Sequence, residues 1–376
     1  MTMQKEMIRL SRPQIPEIAL QQVLDVLDSG MLVQGKWVRR FEEQLEAYLG
    51  IEHCILVSNG TAALHLSLLA AGIGSGDEVI VPAYTFTAVA NAVELTGARP
   101  VFVDIQLSDC CIDISCLSAL ITPATKAIIA VHEFGLMADL DTVMELARRN
   151  NLLVIEDAAC ALGATLHNRK AGTFAFAGCF SFHPRKILTT GEGGAIVTKD
   201  AQLANHLRNL RNHGIENKQG KIDFVCAGYN YRMTEFQAAL GPSQLDTLDE
   251  TIIEHRRQAG IYKRLLSGIP DLNLPQPLKD SEATYQTFHL LFDLASKRDR
   301  VKSALLAEEI ESNIGAYAIP HLSYYKEKYA SDDKAYPAAQ AAFQRGLAIP
   351  LGVHLQEEDL SHIASVIQKA MTDEPS

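Results

Sequence analysis

The chain has 376 residues, of which 47% are apolar and 21% charged, and its formal net charge is -11. That length exceeds what one hydrophobic core normally serves, and the balance belongs to a folded protein rather than a disordered one. No long basic block offsets the acidity, which argues against nucleic acid as a main partner, because duplex binding draws its affinity from neutralised phosphates.

Residues 16–28 and 36–48 read as amphipathic helices, the first ended by Gly30, the second carrying a stripe of Trp37, Phe41, Leu45 and Tyr48. From residue 54 short apolar runs alternate with helix-length segments. CILVS leads to a helix from Thr61, EVIVP to one from about Thr87, then come PVFVDI, KAIIAVH with a helix from Asp139, and LLVIED. This alternation predicts an α/β fold with a mostly parallel sheet covered by helices on both faces. Strands near GCFSF and GGAIVT flank HPRKILTTGE, and a long helical stretch is expected over roughly 243–267. The change of pattern there sets two expected domains, a large one over 1–245 and a smaller α+β one over 246–376. The closing MTDEPS reads as a frayed tail.

The seven cysteines follow no paired spacing, so reduced thiols are the simple reading. The opening MTMQKEMIRLSRP lacks the apolar core of a signal peptide, and no apolar stretch approaches the roughly 20 residues that cross a bilayer. A cytoplasmic protein without a membrane partner is expected. The histidines are too dispersed for a metal-ligand spacing, so no metal site is expected.

In open α/β sheets ligands bind where strands end and helices begin. Four features of the chain sit at such points. In Ser58-Asn59-Gly60-Thr61-Ala62, small residues let backbone N–H groups approach an anion at a helix start; a plain helix cap at Asn59 is the other reading. In Glu156-Asp157-Ala158-Ala159, a strand-end carboxylate meeting a pyridine nitrogen would keep that nitrogen protonated, which makes the ring a better electron sink; an Asp there also caps the next helix. Small Ala159 leaves room for a flat ring. In Ser181-Phe182-His183-Pro184-Arg185-Lys186, followed by Thr189-Thr190-Gly191-Glu192-Gly193-Gly194, a lysine between two strands has its amine pKa lowered by burial and becomes a nucleophile for an aldehyde. An isolated lysine is more often a snorkelling surface residue. In Pro82–Phe86 an aromatic can lie on a ring or simply pack in the core. Each signal is weak alone, but in this order they specify one cofactor: a phosphate cradle, a ring platform, an anion for the ring nitrogen and an amine for the aldehyde.

These blocks, with SRPQI, GMLVQGKWVRRFE, TPATKAIIAVH, RNHG and GYNYRMTEFQAALG, resemble the DegT/StrS family of sugar aminotransferases, which have the fold-type-I architecture of pyridoxal-phosphate enzymes. The resemblance implies that Lys186 bonds the aldehyde of pyridoxal 5'-phosphate and shuttles protons, and that Asp157 pairs with the ring nitrogen. It implies Phe86 on one ring face and Ala159 near the other. Gly60, Thr61, Ala62 and Ser181 would hold the phosphate, with Asn230 reaching it from the partner of a homodimer. Arg232 and His321 are candidate substrate contacts; a surface salt bridge and a structural histidine are their plainer readings. Three positions depart from the pattern. Cys160 stands where the family has a Gln or His bonded to the ring hydroxyl, Arg185 where Thr is common, and Ile187 where Asn is frequent. The implied reaction moves an amino group, with glutamate as donor, onto a 3-keto or 4-keto hexose of a nucleoside diphosphate. Alternatives are a keto cyclitol or an aminobenzoate precursor as acceptor, or a cofactor-binding regulator without turnover.

Overall fold

A computed structural model describes residues 7–218, 220–332 and 334–372, so the first six residues and the end of the expected tail, from Asp373, lie outside the described part. Its centre is a seven-stranded sheet. In chain order the strands are β1 (His53–Val57), β2 (Glu78–Pro82), β3 (Arg99–Val103), β4 (Thr125–Val131), β5 (Leu153–Asp157), β6 (Ala177–Ser181) and β7 (Gly194–Thr198), and across the sheet they run β1-β7-β6-β5-β4-β2-β3.

The apolar runs are continuous because both faces of the sheet are covered. Along β1, Ile55 and Val57 enter one core cluster while Cys54 and Leu56 enter the other. Along β4, Ala127, Ile129 and Val131 part from Ile128 and Ala130 in the same way, as the two-residue period of a strand dictates. Helices form where expected. Gly30 takes a left-handed conformation (φ 69°) and ends Glu17–Ser29. Asp139 caps Leu140–Arg149 by accepting from the Thr142 N–H. In the helix Lys36–Leu49, Trp37, Phe41 and Leu45 are buried, but the stripe continues through Leu49 while Tyr48 is only half-buried.

Two features differ from the simple reading. β7 runs antiparallel to both its neighbours, because the residues joining it to β6 form no crossover helix and the chain must turn straight back. The long helix expected over 243–267 is broken: Gly241–Leu245 ends, and a new helix spans Leu248–Leu266. Near the C-terminus, Leu272–Asn273, Phe288–Phe292 and Gly346–Ile349 form a separate three-stranded antiparallel sheet. The chain returns twice to the first half: Tyr317–Ala318 pairs with Tyr84–Thr85, and Ser281–Glu282 with Thr165–Leu166.

β1, β2, β4, β5 and β6 all point the same way, so their carboxyl ends open on one edge. That edge gathers the segments following Val57, Pro82, Val131, Asp157 and Ser181.

Candidate active site

The β1 end places the helix Gly60–Ala70 with its N-terminus at the sheet edge, where the first N–H groups have no intrahelical acceptor. Asn59 caps it, its side chain accepting from the Ala62 N–H at 2.8 Å, so the cap expected as the plain reading is present and Ala62's N–H is engaged. Register brings Val57 opposite Gly194 and Gly194 opposite Ser181. A methyl group on Gly60 would lie 2.8 Å from Ser181 Cβ and 3.3 Å from its Oγ, and one on Gly194 2.6 Å from the Asn59 carbonyl. Glycine at both positions is what lets the serine hydroxyl and the helix start share one small concavity. Arg232 bridges to Val57 and the Tyr231 carbonyl accepts from the Ser58 N–H at 2.8 Å, so that segment borders the same concavity. The Arg232 guanidinium donates to Asn212 Oδ1 at 2.6 Å, and Asn230 beside it is exposed.

Asp157 ends β5 and is 6% exposed. Burial pushes its carboxyl pKa up, against the Ala159 N–H, which donates to Oδ1 at 2.9 Å, and against the charge of Lys186. Preceding it, Glu156 faces away into a closed polar knot: its carboxylate accepts from the N–H groups of Gly172, Phe174 and Ala175 and from His132 Nε2.

Lys186 follows β6 in a loop pinned at both ends. Its own N–H bonds to the His183 carbonyl, the Thr189 hydroxyl donates to the Phe182 carbonyl, and Gln244 clasps the backbone of Thr189. The amine donates to Cys160 Sγ at 2.9 Å. Burial works to lower the amine's pKa, as expected, but Cys160, Asp157 and Glu133 outweigh it and hold it above the ordinary lysine value. The expectation of a depressed pKa is therefore corrected. Cys160, Asp157 and Glu133, from the β4 and β5 ends, converge on it.

Glu133, two residues past β4, is the member of this cluster that sequence reasoning missed. It is 5% exposed, its Oε2 has no hydrogen-bond partner among the described residues, and burial first, then Asp157, raise its carboxyl to about 7 against the Thr85 hydroxyl and Lys186. An acid directly after KAIIAVH, at a carboxyl end of a buried strand, was the available signal.

The remaining expected residues are more peripheral. Phe86 is 62% exposed at the β2 edge, its ring 6.4 Å from that of Tyr317. Ala159 is half-buried beside Cys160. His321 Nε2 pairs with the Ala335 carbonyl at 3.1 Å, the satisfied arrangement of a structural histidine. Glu192 is an exposed turn carboxylate. A cleft of about 620 Å³ reaches Lys186 and is lined by Arg12, Arg185, His255 and His354 among others, a size suited to a small-molecule ligand.

The residues fit pyridoxal phosphate: a helix-start cradle that a methyl group would fill, a buried acid, an amine nearby, and a buried carboxyl oxygen, unpartnered among the described residues, on a glutamate that acts on that amine. Comparison with known proteins agrees. The chain is 38% identical to the GDP-perosamine synthase of Caulobacter vibrioides over 97% of this chain and 98% of that one. It is 39% identical to the UDP-N-acetyl-3-dehydro-alpha-D-glucosamine 3-aminotransferase of Acidithiobacillus ferrooxidans, over 92% of each. Its fold matches the crystal structure of the aminotransferase TlmJ from Streptoalloteichus hindustanus with a TM-score of 0.91, 30% identity, and coverage of 97% and 99%. The model of the DegT/DnrJ/EryC1/StrS aminotransferase family spans residues 13–368, and this chain, a pyridoxal-phosphate enzyme, belongs to that family.

Proposed function

We propose that this aminotransferase moves an amino group from glutamate to a 3-keto or 4-keto hexose linked to a nucleoside diphosphate. The observation that carries the reading is the Lys186 amine at the carboxyl edge of the sheet, within the field of Asp157 and Glu133. Pyridoxal phosphate, when bound, supplies the electron sink that makes a carbon next to nitrogen acidic. Lys186 would bond the cofactor aldehyde and, once released, take and return the proton at the reacting carbon. Asp157 would hold the ring nitrogen protonated, since an opposite charge nearby favours the ionised pair. Phe86 and Ala159 would flank the ring. Gly60 and Thr61, with the Ser181 hydroxyl, would hold the phosphate at the helix start, while the expected donor Ala62 gives its N–H to Asn59 instead.

Substrate recognition falls to the cleft beside Lys186, where Arg12 and Arg185 give a net-acidic chain a local positive patch for a diphosphate. Arg232 and His321 are further candidates for the sugar-nucleotide side. The relatives with names ending on GDP- and UDP-linked sugars support this class of acceptor, and leave the base open.

We read the active unit as a homodimer in which Asn230 serves the partner's phosphate site. The supporting observation is exposed apolar surface on the segment that leads to it: Ile222 and Phe224 of the hairpin Ile215–Lys218/Lys221–Phe224 are 64% and 66% exposed. Among the described residues no helix is long and apolar enough to cross a membrane, which is compatible with the cytoplasmic site of action we propose. The division into a cofactor domain over 1–245 and a small domain over 246–376 is proposed on the separate C-terminal sheet.

The test is Lys186→Ala. It should abolish turnover and the visible absorbance of the lysine-bound cofactor, and retention of both refutes the assignment. Glutamate alone should bleach that absorbance in the wild type. Assays with keto-sugar nucleotides against keto cyclitols then identify the acceptor, and turnover only with the cyclitols sinks the sugar reading.

A further inference from the structure

Position 160 leaves a gap in the cofactor seat. The Cys160 thiol is a weak donor, and its sulfur already accepts from the Lys186 amine at 2.9 Å. The order of strands says where the missing contact has to come from. The phosphate cradle is built on β1, β7 and β6, the acid for the ring nitrogen ends β5, and the next strand across is β4. In pyridoxal phosphate the aldehyde carbon stands opposite the ring nitrogen, with the phosphate arm on one side of it and the hydroxyl on the other. With the phosphate toward β6 and the nitrogen at β5, the hydroxyl would face the β4 end. There sits Glu133, one carboxyl oxygen of which has no partner among the described residues although the side chain is almost fully buried.

We infer that Glu133 supplies the hydrogen bond to the cofactor's ring hydroxyl that Cys160 is too weak a donor to make. The inference rests on the cofactor seat proposed above. A buried oxygen without a partner is a net cost, so the folded chain gains when a ligand atom meets it. The groups that face the carboxyl are Lys186, Asp157, Cys160, Cys110, Cys111, Tyr84 and the Thr85 hydroxyl. Lys186 is the cation among them, and once its nitrogen is bonded to the cofactor a carboxyl that keeps its proton is the stable form beside the ring oxygen. Burial raises Glu133 to about 7, which makes that protonated form accessible near neutrality.

The experiment uses loaded protein and three variants: Glu133→Gln, which keeps a donor, Glu133→Met, which removes it at similar volume, and Glu133→Met with Cys160→Gln. Two readouts are taken, cofactor dissociation and the pH midpoint at which the visible band of the Lys186-bound cofactor titrates. Glu133→Met should weaken cofactor binding about tenfold, the value of one hydrogen bond to a charged group, and move the midpoint. Glu133→Gln should stay within about twofold, and Gln at 160 should restore the Met variant. Unchanged dissociation and midpoint in Glu133→Met, with any effect confined to the KM of the sugar, overturn the inference while leaving the cofactor seat intact. Absence of a Lys186-dependent band in the wild type overturns the seat itself.

Discussion

Glu156→Gln tests a buried anion beside the catalytic edge without touching its chemistry. The Glu156 and His132 side chains are fully buried. Oε1 accepts from Phe174 N (2.7 Å) and Ala175 N (2.9 Å), and Oε2 from Gly172 N (2.7 Å) and His132 Nε2 (3.1 Å). A glutamine has one acceptor oxygen and one NH2, so in either orientation one pair of donors meets another donor. The histidine cannot relieve this by changing tautomer, because its Nδ1 already accepts from the Ala138 N–H at 3.1 Å. Two stranded buried donors at roughly 1–3 kcal/mol each put the cost near 4 kcal/mol, a large part of the roughly 5–15 kcal/mol that holds a domain. The sole tryptophan, Trp37, lies in the same core cluster as Val154 and Ala158, so its fluorescence reports the loss in a guanidinium titration. Asp157→Asn, one residue on and facing the ligand edge, should instead weaken cofactor binding with a smaller stability change. A Glu156→Gln variant within about 1 kcal/mol of the wild type would refute the reading of this knot as a fixed anion site.

Gly60→Ala brings a methyl group within 2.8 Å of Ser181 Cβ and should lower cofactor affinity about tenfold by displacing the serine hydroxyl; an unchanged dissociation constant in a fluorescence titration counts against the cradle. In the cofactor-free protein Glu133 ionises near 7 when folded and near the ordinary 4.5 when unfolded, so the folded state binds more protons between those values and stability from this group, whole below about 4.5, is lost as pH rises through 7. Glu133→Gln removes that titration, and its unfolding free energy relative to wild type should climb from about pH 5 to about pH 8, a flat difference disproving the assignment. Glu235, buried, accepts from the N–H groups of Gly35, Trp37 and Val38, so Glu235→Ala should unfold at visibly lower denaturant, by about 3 kcal/mol or more. Arg12→Ala should raise the KM for the nucleotide sugar about tenfold while sparing the half-reaction with glutamate, and equal KM values would move the diphosphate elsewhere.

The strands were legible because their burial is two-sided and therefore leaves a run of apolar residues with no polar alternation, as in CILVS and KAIIAVH. Their order was not, since neighbours such as β1 and β7 are far apart in sequence and meet only through tertiary packing. The reversal of β7 hinged on whether the HPRKILTTGE segment forms a helix, and Pro184, Gly191 and the threonine hydroxyl bonds make it a pinned loop instead. The break in the helix before Leu248 carries no Gly or Pro at Asp246 or Thr247, so propensity offers no warning there.

The site divides along the same line. Lys186 and Asp157 announce themselves through local motifs at strand ends, whereas Glu133 is followed by an aromatic and precedes no motif, and an acid after a strand is ordinarily solvated. Only the sheet order shows that it shares a buried space with the other two. The same convergence decides the state of the lysine. Read alone, Lys186 in an apolar setting should hold a lowered pKa; surrounded by acids from two strand ends it is raised instead. A buried amine is thus a nucleophile only when its acids have other partners to satisfy, and in the proposed seat the cofactor's ring nitrogen and hydroxyl would be those partners for Asp157 and Glu133. Loading the cofactor and freeing the amine would then be one electrostatic event rather than two.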